Sequence, residues 1–395
     1  MFSHLLKLMW NKRRANGMIF LEILLAFVVL FGVYAFLAYN LNRYSSPLGF
    51  TYENSVGVRL DLPDTLDTDS LAALEFQDMI RRDLLAMDAV EAASWIGPVN
   101  PFGGSTWNTN TVDDNGRTLR TQMMFVDEYY AETAELTLID GTWFTEDNMR
   151  AKYRPLVVNK KFHEDNFPDV SSIVDTIVEL GGEHIIVGVT SDYKYKGNFA
   201  DNVPLSFYPQ ADRLEDEDPF EMMILRLRPG SLADNEEAIY NLLVQHTKNT
   251  DVVIWDMAKD RRKANRSVLI PMVILIVISG FLLINIALGL FGVLFTQINR
   301  RRAEIGLRKA MGATPGQVTL QFVMEVVLVT GAALFLGSFF AVQVPFLELL
   351  PIPSRFFYYA ILGAILTILF IVILCAIVPS RQAAGLQPAN VLHED

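Results

Sequence analysis

Four long apolar runs constrain this chain more than anything else in its sequence. They cover residues 18–39, 268–296, 317–346 and 356–378, each almost free of charge. At about 1.5 Å of rise per helical residue, each can cross a hydrocarbon core of about 30 Å. Four such runs in 395 residues read as four transmembrane helices rather than buried helices of a soluble core. The first run is longer than the roughly 7–15 apolar residues of a signal peptide, and no small-x-small cleavage site follows it. It reads as an anchor that stays.

Basic residues set the orientation. Lys7, Lys12, Arg13 and Arg14 precede the first run, and Arg300, Arg301, Arg302, Arg308 and Lys309 stand between the second and third against Glu304 alone. Loops rich in arginine and lysine stay cytosolic. Both termini are then expected inside and residues 40–266 outside. Residues 41–266 carry 39 acidic and 22 basic residues, a net −17. That charge argues against nucleic acid as a partner and leaves two readings, solubility or attraction of cationic ligands. The stretch Asp212–Pro219 is the densest part, a solvated run or a cation site. The only cysteine, Cys375, falls in the fourth run as a small apolar filler, so no disulfide holds the external domain.

Within that domain, Ser55–Leu62 alternates like a half-buried strand, Ser70–Met87 carries a helical stripe (Phe76, Ile80, Leu84, Met87), and Val90–Ile96 reads as a second strand. The pattern returns as strand Glu221–Arg228, helix Ser231–His246 and strand Asp251–Trp255. Two such units can pair into one ferredoxin-like sheet with helices on one side. Further strands are expected at Leu119–Val126, Pro155–Asn159, His184–Thr190 and Leu205–Tyr208, and a long loop at Gly97–Gly116. The five histidines have no metal-ligand spacing, and no nucleophile elbow or P-loop occurs. Neither catalysis nor a cofactor or metal is expected in this chain.

The sharpest local signal is Arg300–Val318. A helix is expected up to Met311, with Glu304 and Arg308 as an i,i+4 pair and Ala303, Leu307, Ala310 and Met311 as a narrow apolar stripe. Gly312 suits a left-handed stop. Thr314, Pro315 and Gln317 suit the capped start of the next helix. Such a segment either fixes topology by its charge or serves as a rigid lever held by a cytosolic partner. Phe2–Trp10 reads as an interfacial amphipathic helix or a basic leader against membrane lipid. Glu22 and Glu325 lie near cytosolic ends, where they can snorkel or meet arginines. Ser279, Gly280, Asn285, Gly289 and Gly292 mark the second run for close helix packing or a dimer contact.

Arg301–Val318, with its core Ala-Glu-Ile-Gly-Leu-Arg-Lys-Ala-Met-Gly-Ala-Thr-Pro-Gly, resembles the segment after the second span of FtsX/MacB-type ABC transporter permeases. The ending from Pro379 to Leu392, and the stretches Leu156–Asn159 and Ile186–Tyr193, are similar to other parts of that family, as is the order of span, large domain and three spans. The resemblance implies an α+β membrane protein. It has four transmembrane helices plus a large α/β periplasmic domain. That domain joins a membrane-proximal split βαβ, porter-like subdomain (about 50–98 and 220–256) to a distal mixed β-rich one (about 99–219). Around them lie a cytosolic amphipathic segment (1–17), a coupling segment (300–316) and a cytosolic tail (379–395).

The resemblance also implies a role in a bacterial inner membrane. A cytosolic ABC ATPase dimer would bind ATP and magnesium and grip the coupling segment, where Arg301, Glu304, Ile305, Leu307, Arg308, Met311, Gly312, Thr314 and Pro315 match the family's motif. A second permease copy or a homologous one, and a periplasmic adaptor or substrate protein, are the other implied partners. Some members resemble fusions with an ATPase ahead of the first span. Only 17 residues stand there in this sequence, so a separate ATPase chain is expected. Export of a peptide, drug or lipoprotein is the implied activity. A membrane-anchored periplasmic sensor and a regulator of cell-wall hydrolases are the alternatives.

Overall fold

The computed structural model describes residues 13–63, 66, 70–112, 116, 118–210, 220–248, 251–348 and 350–384. Phe2–Trp10, the acidic stretch Asp212–Pro219 and the tail from residue 385 lie outside the described residues. In chain order the elements begin with α1 (Arg13–Ser45), β1 (Ser55–Arg59), α2 (Ser70–Leu85), β2 (Val90–Ile96), β3 (Trp107–Val112), β4 (Thr118–Val126) and α3 (Tyr130–Thr133). Next come β5 (Leu138–Gly141), α4 (Glu146–Met149), β6 (Arg154–Asn159), α5 (Lys160–Asn166), β7 (Ile177–Glu179), β8 (Glu183–Thr190) and β9 (Leu205–Pro209). The last are β10 (Met222–Leu227), α6 (Leu232–Thr247), β11 (Val253–Asp256), α7 (Met257–Arg300), α8 (Arg302–Ala310), α9 (Pro315–Phe346) and α10 (Ser354–Ala384). The chain forms two compact units: Arg43–Val268, and the described residues on either side of it.

The outer unit is built on one sheet in the order β11-β1-β10-β2-β4-β9-β6-β8-β5, with β3 paired to β4 and β7 to β8. Its first four strands are antiparallel throughout and form the expected ferredoxin-like quartet. A single residue pair, Ile96 with Val126, joins this quartet to the rest of the sheet. Beyond it β9 lies parallel to β4, and β6 parallel to β8.

Alternation along the strands splits the core into two layers. On one face Val58, Trp95, Phe125, Leu156, Val158 and Leu225 pack with Ile80 and Leu84 of α2 and Ile239 and Leu243 of α6. On the other, Ile96, Met124, Val126, Val157 and Ile224 pack with an aromatic group that includes Phe50, Tyr193 and Phe207. Burial on both faces explains the unbroken apolar reading of Leu156-Val157-Val158. Each fully buried side chain of this size contributes about 1.5–3 kcal/mol. At Gly57 a β-carbon would stand 2.1 Å from carbons of the Trp255 indole, so only glycine lets that ring lie on β1.

Residues 97–116 differ from the sequence expectation. Instead of one long loop they contain β3, which pairs with β4 from Trp107↔Met123 to Val112↔Thr118. Asn108 and Asn110 occupy its exposed face, and their turn-forming character masks the strand in the sequence. The ladder of β1 stops at Arg59 rather than Leu62, although Leu60 and Leu62 stay buried before Pro63. Strands β5 and β7 have four and three residues, too short for a periodic signal.

The other unit contains the four apolar helices long enough to cross a membrane: Gly17–Ser45 within α1, then α7, α9 and the Ser354–Arg381 part of α10. Close approach uses small residues. A β-carbon at Gly337 would meet the Phe27 ring at 2.5 Å, and one at Gly363 would stand 3.0 Å from Tyr34. Tyr34 also shares a 3.0 Å hydrogen bond with Thr367.

Candidate functional site

The corner between α7 and α9 forms through short-range chemistry. Helix α8 stops because Gly312 takes φ +96°, and the Ala313 N–H donates 3.0 Å back to the Arg308 carbonyl, closing a Schellman turn. Two residues later Thr314 caps α9. Its hydroxyl accepts from the Gln317 N–H at 3.4 Å, and the Gln317 side chain accepts from the Thr314 N–H at 3.0 Å, with Pro315 at the first helical position. Two capped helix ends thus flank a break that has no slack in it.

Tertiary contacts then clamp α8 to the bundle. Nη1 of Arg301 donates to both carboxylate oxygens of Glu325 at 3.1 Å, and the two side chains are only 11% and 13% exposed. Gln321 donates to Glu325 at 3.4 Å and accepts from Arg308, which also pairs with Glu304 at 2.5 Å. Ile305 is buried among Ile298, Val318 and Phe322. The apolar residues of α8 and of the turn that ends it therefore separate: Ile305 packs inward, whereas Leu307 and Met311 are 56% and 72% exposed. Arg301 and Ile305 face inward, Arg301 against Glu325 and Ile305 among Ile298, Val318 and Phe322.

The packing residues expected in α7 also separate. Ser279 is buried, with its hydroxyl bonded to the Leu275 carbonyl at 2.7 Å. A β-carbon at Gly289 would stand 2.8 Å from the Glu22 carboxylate, so this glycine receives α1. Gly280 and Gly292 have nothing within 4 Å of that position, and Asn285 is exposed, its amide donating to the Phe281 carbonyl at 3.0 Å.

The outer unit contains a second constellation, around the first turns of α7, that sequence reasoning missed. Met257 is buried in the aromatic layer. Asn265 and Asn198 bond reciprocally: the Asn198 N–H donates to the Asn265 side chain at 3.1 Å, and the Asn265 amide returns to Asn198 Oδ1 at 3.0 Å. Arg261 donates to the same Asn198 oxygen at 2.8 Å and bonds the Tyr52 hydroxyl. The Lys194 ammonium donates 2.6 Å bonds to the carbonyls of Arg43 and Asn198, while Arg43 pairs with Asp201 at 2.8 Å. Burial, with Arg43 nearby, pulls the Lys194 pKa down from 10.5 to about 8. The Gly197-Asn198 pair was the available clue to a turn, and the structure gives Gly197 a φ of +112°.

The FtsX-like permease C-terminal family matches residues 276–388, and the MacB-like periplasmic core domain matches residues 24–239. The macrolide export ATP-binding/permease protein MacB 1 of Yersinia pestis bv. Antiqua (strain Antiqua) is 24% identical over 322 residues, 78% of this chain and 48% of that protein. Its counterpart MacB in Salmonella typhi is 24% identical over 273 residues, 67% of this chain and 42% of that protein. The chain spans about half the length of the curated relatives it matches. The crystal structure of the periplasmic region of MacB from Actinobacillus actinomycetemcomitans shares 11% identity, covering 54% of this chain and 92% of that one at a TM-score of 0.37. Since the core-domain family alone matches more than half of the sequence, the chain belongs to the FtsX/MacB-type ABC transporter permeases, as a multi-pass membrane protein with a MacB-like periplasmic core domain.

Proposed function

We propose that this permease passes ATP-driven motion from a cytosolic ATPase to its periplasmic domain. The observation that carries the reading is the division of labour in α8. Its inward side is fixed to α9 by Arg301–Glu325 and Ile305, and its outward side presents Leu307 and Met311 to solvent. A partner that pushes on such a helix moves the bundle rather than bending a loop. The ATP-binding cassette lies outside these 395 residues, which contain no P-loop. The basic residues of Arg300–Lys309 support a cytosolic position for this corner and for both termini, in a bacterial inner membrane. Export of a peptide, drug or lipoprotein is the activity that fits, and the relatives' printed name, macrolide export, points the same way.

The reading includes pairing of two permease copies through α7. An exposed asparagine in an apolar span is costly in lipid and is relieved by a partner helix, and Asn285 sits on such a face. The test is ATPase activity and export by the reconstituted complex carrying Leu307→Asp and Met311→Asp. ATP turnover uncoupled from export, or a complex that no longer assembles, is the expected outcome. Unchanged assembly, hydrolysis and export would remove the coupling role from α8.

A further inference from the structure

A pocket of about 300 Å³ lies in the outer unit, at the seam where one residue pair joins the ferredoxin-like quartet to the rest of the sheet. One wall comes from the quartet: Leu71 and Leu74 of α2, and Trp95 of β2. The other comes from beyond the seam: Tyr129, Phe144, Met149 and Pro209. Leu71, Leu74 and Met149 are exposed large apolar side chains. Among the described residues the charged lining is of one sign: Glu75, Asp78, Asp127 and Glu128 line the pocket beside Gln77 and Gln210, and no lysine, arginine or histidine does.

Not all four acids contribute equally. Asp78 is 3.5 Å from Arg81, whose guanidinium also lies over the Tyr129 ring, 3.4 Å from its centroid, so that charge is offset. Asp127 is buried, accepting from the Ser94 hydroxyl at 2.6 Å, the Trp95 N–H at 2.7 Å and the Tyr129 N–H at 3.1 Å. Its loss of hydration raises its pKa to about 7, so it is a partial charge at neutral pH. Glu75 and Glu128, both exposed at the rim, set the sign. Apolar walls around an anionic rim complement a molecule with an apolar body and a cationic group.

We propose that this seam pocket binds a small amphiphilic amine, its apolar body between Leu74 and Phe144 and its ammonium group at Glu75 and Glu128. Such a ligand touches both halves of the sheet at their narrowest junction. The proposal does not depend on ATPase coupling, and its test contains neither ATP nor a partner.

The full chain in phosphatidylcholine nanodiscs is titrated with dansylcadaverine, read by energy transfer from tryptophan, with empty discs subtracted. Its uncharged N-acetyl derivative and a Lys-Leu-Leu-Lys peptide are titrated in parallel. The expected result is saturable binding of the amine at least tenfold tighter than the N-acetyl derivative. The Glu75→Gln/Glu128→Gln variant is expected to bind the amine at least tenfold more weakly. Both glutamates are exposed, so the variant is expected to keep its fold, checked by circular dichroism. A Leu74→Lys variant is expected to abolish binding. Equal affinity for amine and N-acetyl derivative, an unchanged affinity in the glutamine variant, or no saturable binding overturns the proposal. Variant-sensitive binding of the peptide alone overturns the small-molecule class in favour of a basic peptide.

Discussion

The first and last turns of α7 are held by different chemistry. At the start, Asn265 and Arg261 converge on Asn198 and Met257 is buried in the aromatic layer, so the grip is a hydrogen-bonded network. At the end, the chain passes into α8, where one ion pair and one buried isoleucine provide the hold and two large apolar side chains are left exposed. Between these ends, 11% of the most apolar 18-residue stretch of α7 is buried by protein, against 44% of that of α1. A satisfied polar network specifies one geometry, whereas an exposed apolar pair specifies none by itself.

That contrast is open to attack by mutation. Removing Arg301 strands the nearly buried Glu325 carboxylate, and Arg301→Ala is expected to cost about 3 kcal/mol. Thermal unfolding of the solubilised chain measures it. A loss below about 0.5 kcal/mol would mean that α8 is not clamped by this pair. The Leu307→Asp/Met311→Asp chain, by contrast, is expected to unfold within about 0.5 kcal/mol of wild type, because its side chains are exposed. At the other end, Asn265→Ala leaves the Asn198 N–H without its acceptor and is expected to cost about 2 kcal/mol. Hydrogen exchange over residues 257–268 should accelerate while the α8 corner stays protected; acceleration at both would merge the two grips into one cooperative unit.

Smaller effects refine the same picture. Thr314→Ala removes the cap of α9 and is expected to cost about 1 kcal/mol, with Ser replacing Thr at little loss. The smallest concerns pH. Below pH 8 Lys194 is protonated in folded and unfolded chains alike, so its burial penalty is fully present. Between pH 8 and 10.5 the unfolded chain holds the proton and the folded chain releases it, so this group adds stability as pH rises. The gain by pH 9 is about 1 kcal/mol or less. Melting curves at pH 7.5 and 9 should show it in wild type and lose it in Lys194→Met; an equal pH response in both would place the cause elsewhere.

Much of this molecule was legible in its sequence because the responsible interactions are local. The four spans follow from continuous apolar length. The left-handed stop at Gly312 and the Thr314–Gln317 box follow from residues three or four apart. The ferredoxin-like quartet follows from two strand–helix–strand patterns with clear alternation. Strand β3 was hidden because one of its faces is wet and carries asparagines. What only the tertiary structure decided involves partners far apart in the chain: Arg301 with Glu325, Asn198 with Asn265, and the union of two sheet halves through Ile96 and Val126. In each, a polar or apolar residue is compatible with many neighbours, and the packing of distant elements selects one. The same holds for the four apolar runs. Their length identifies them as spans, but which side of α8 turns inward was decided by the ion pair and the buried Ile305.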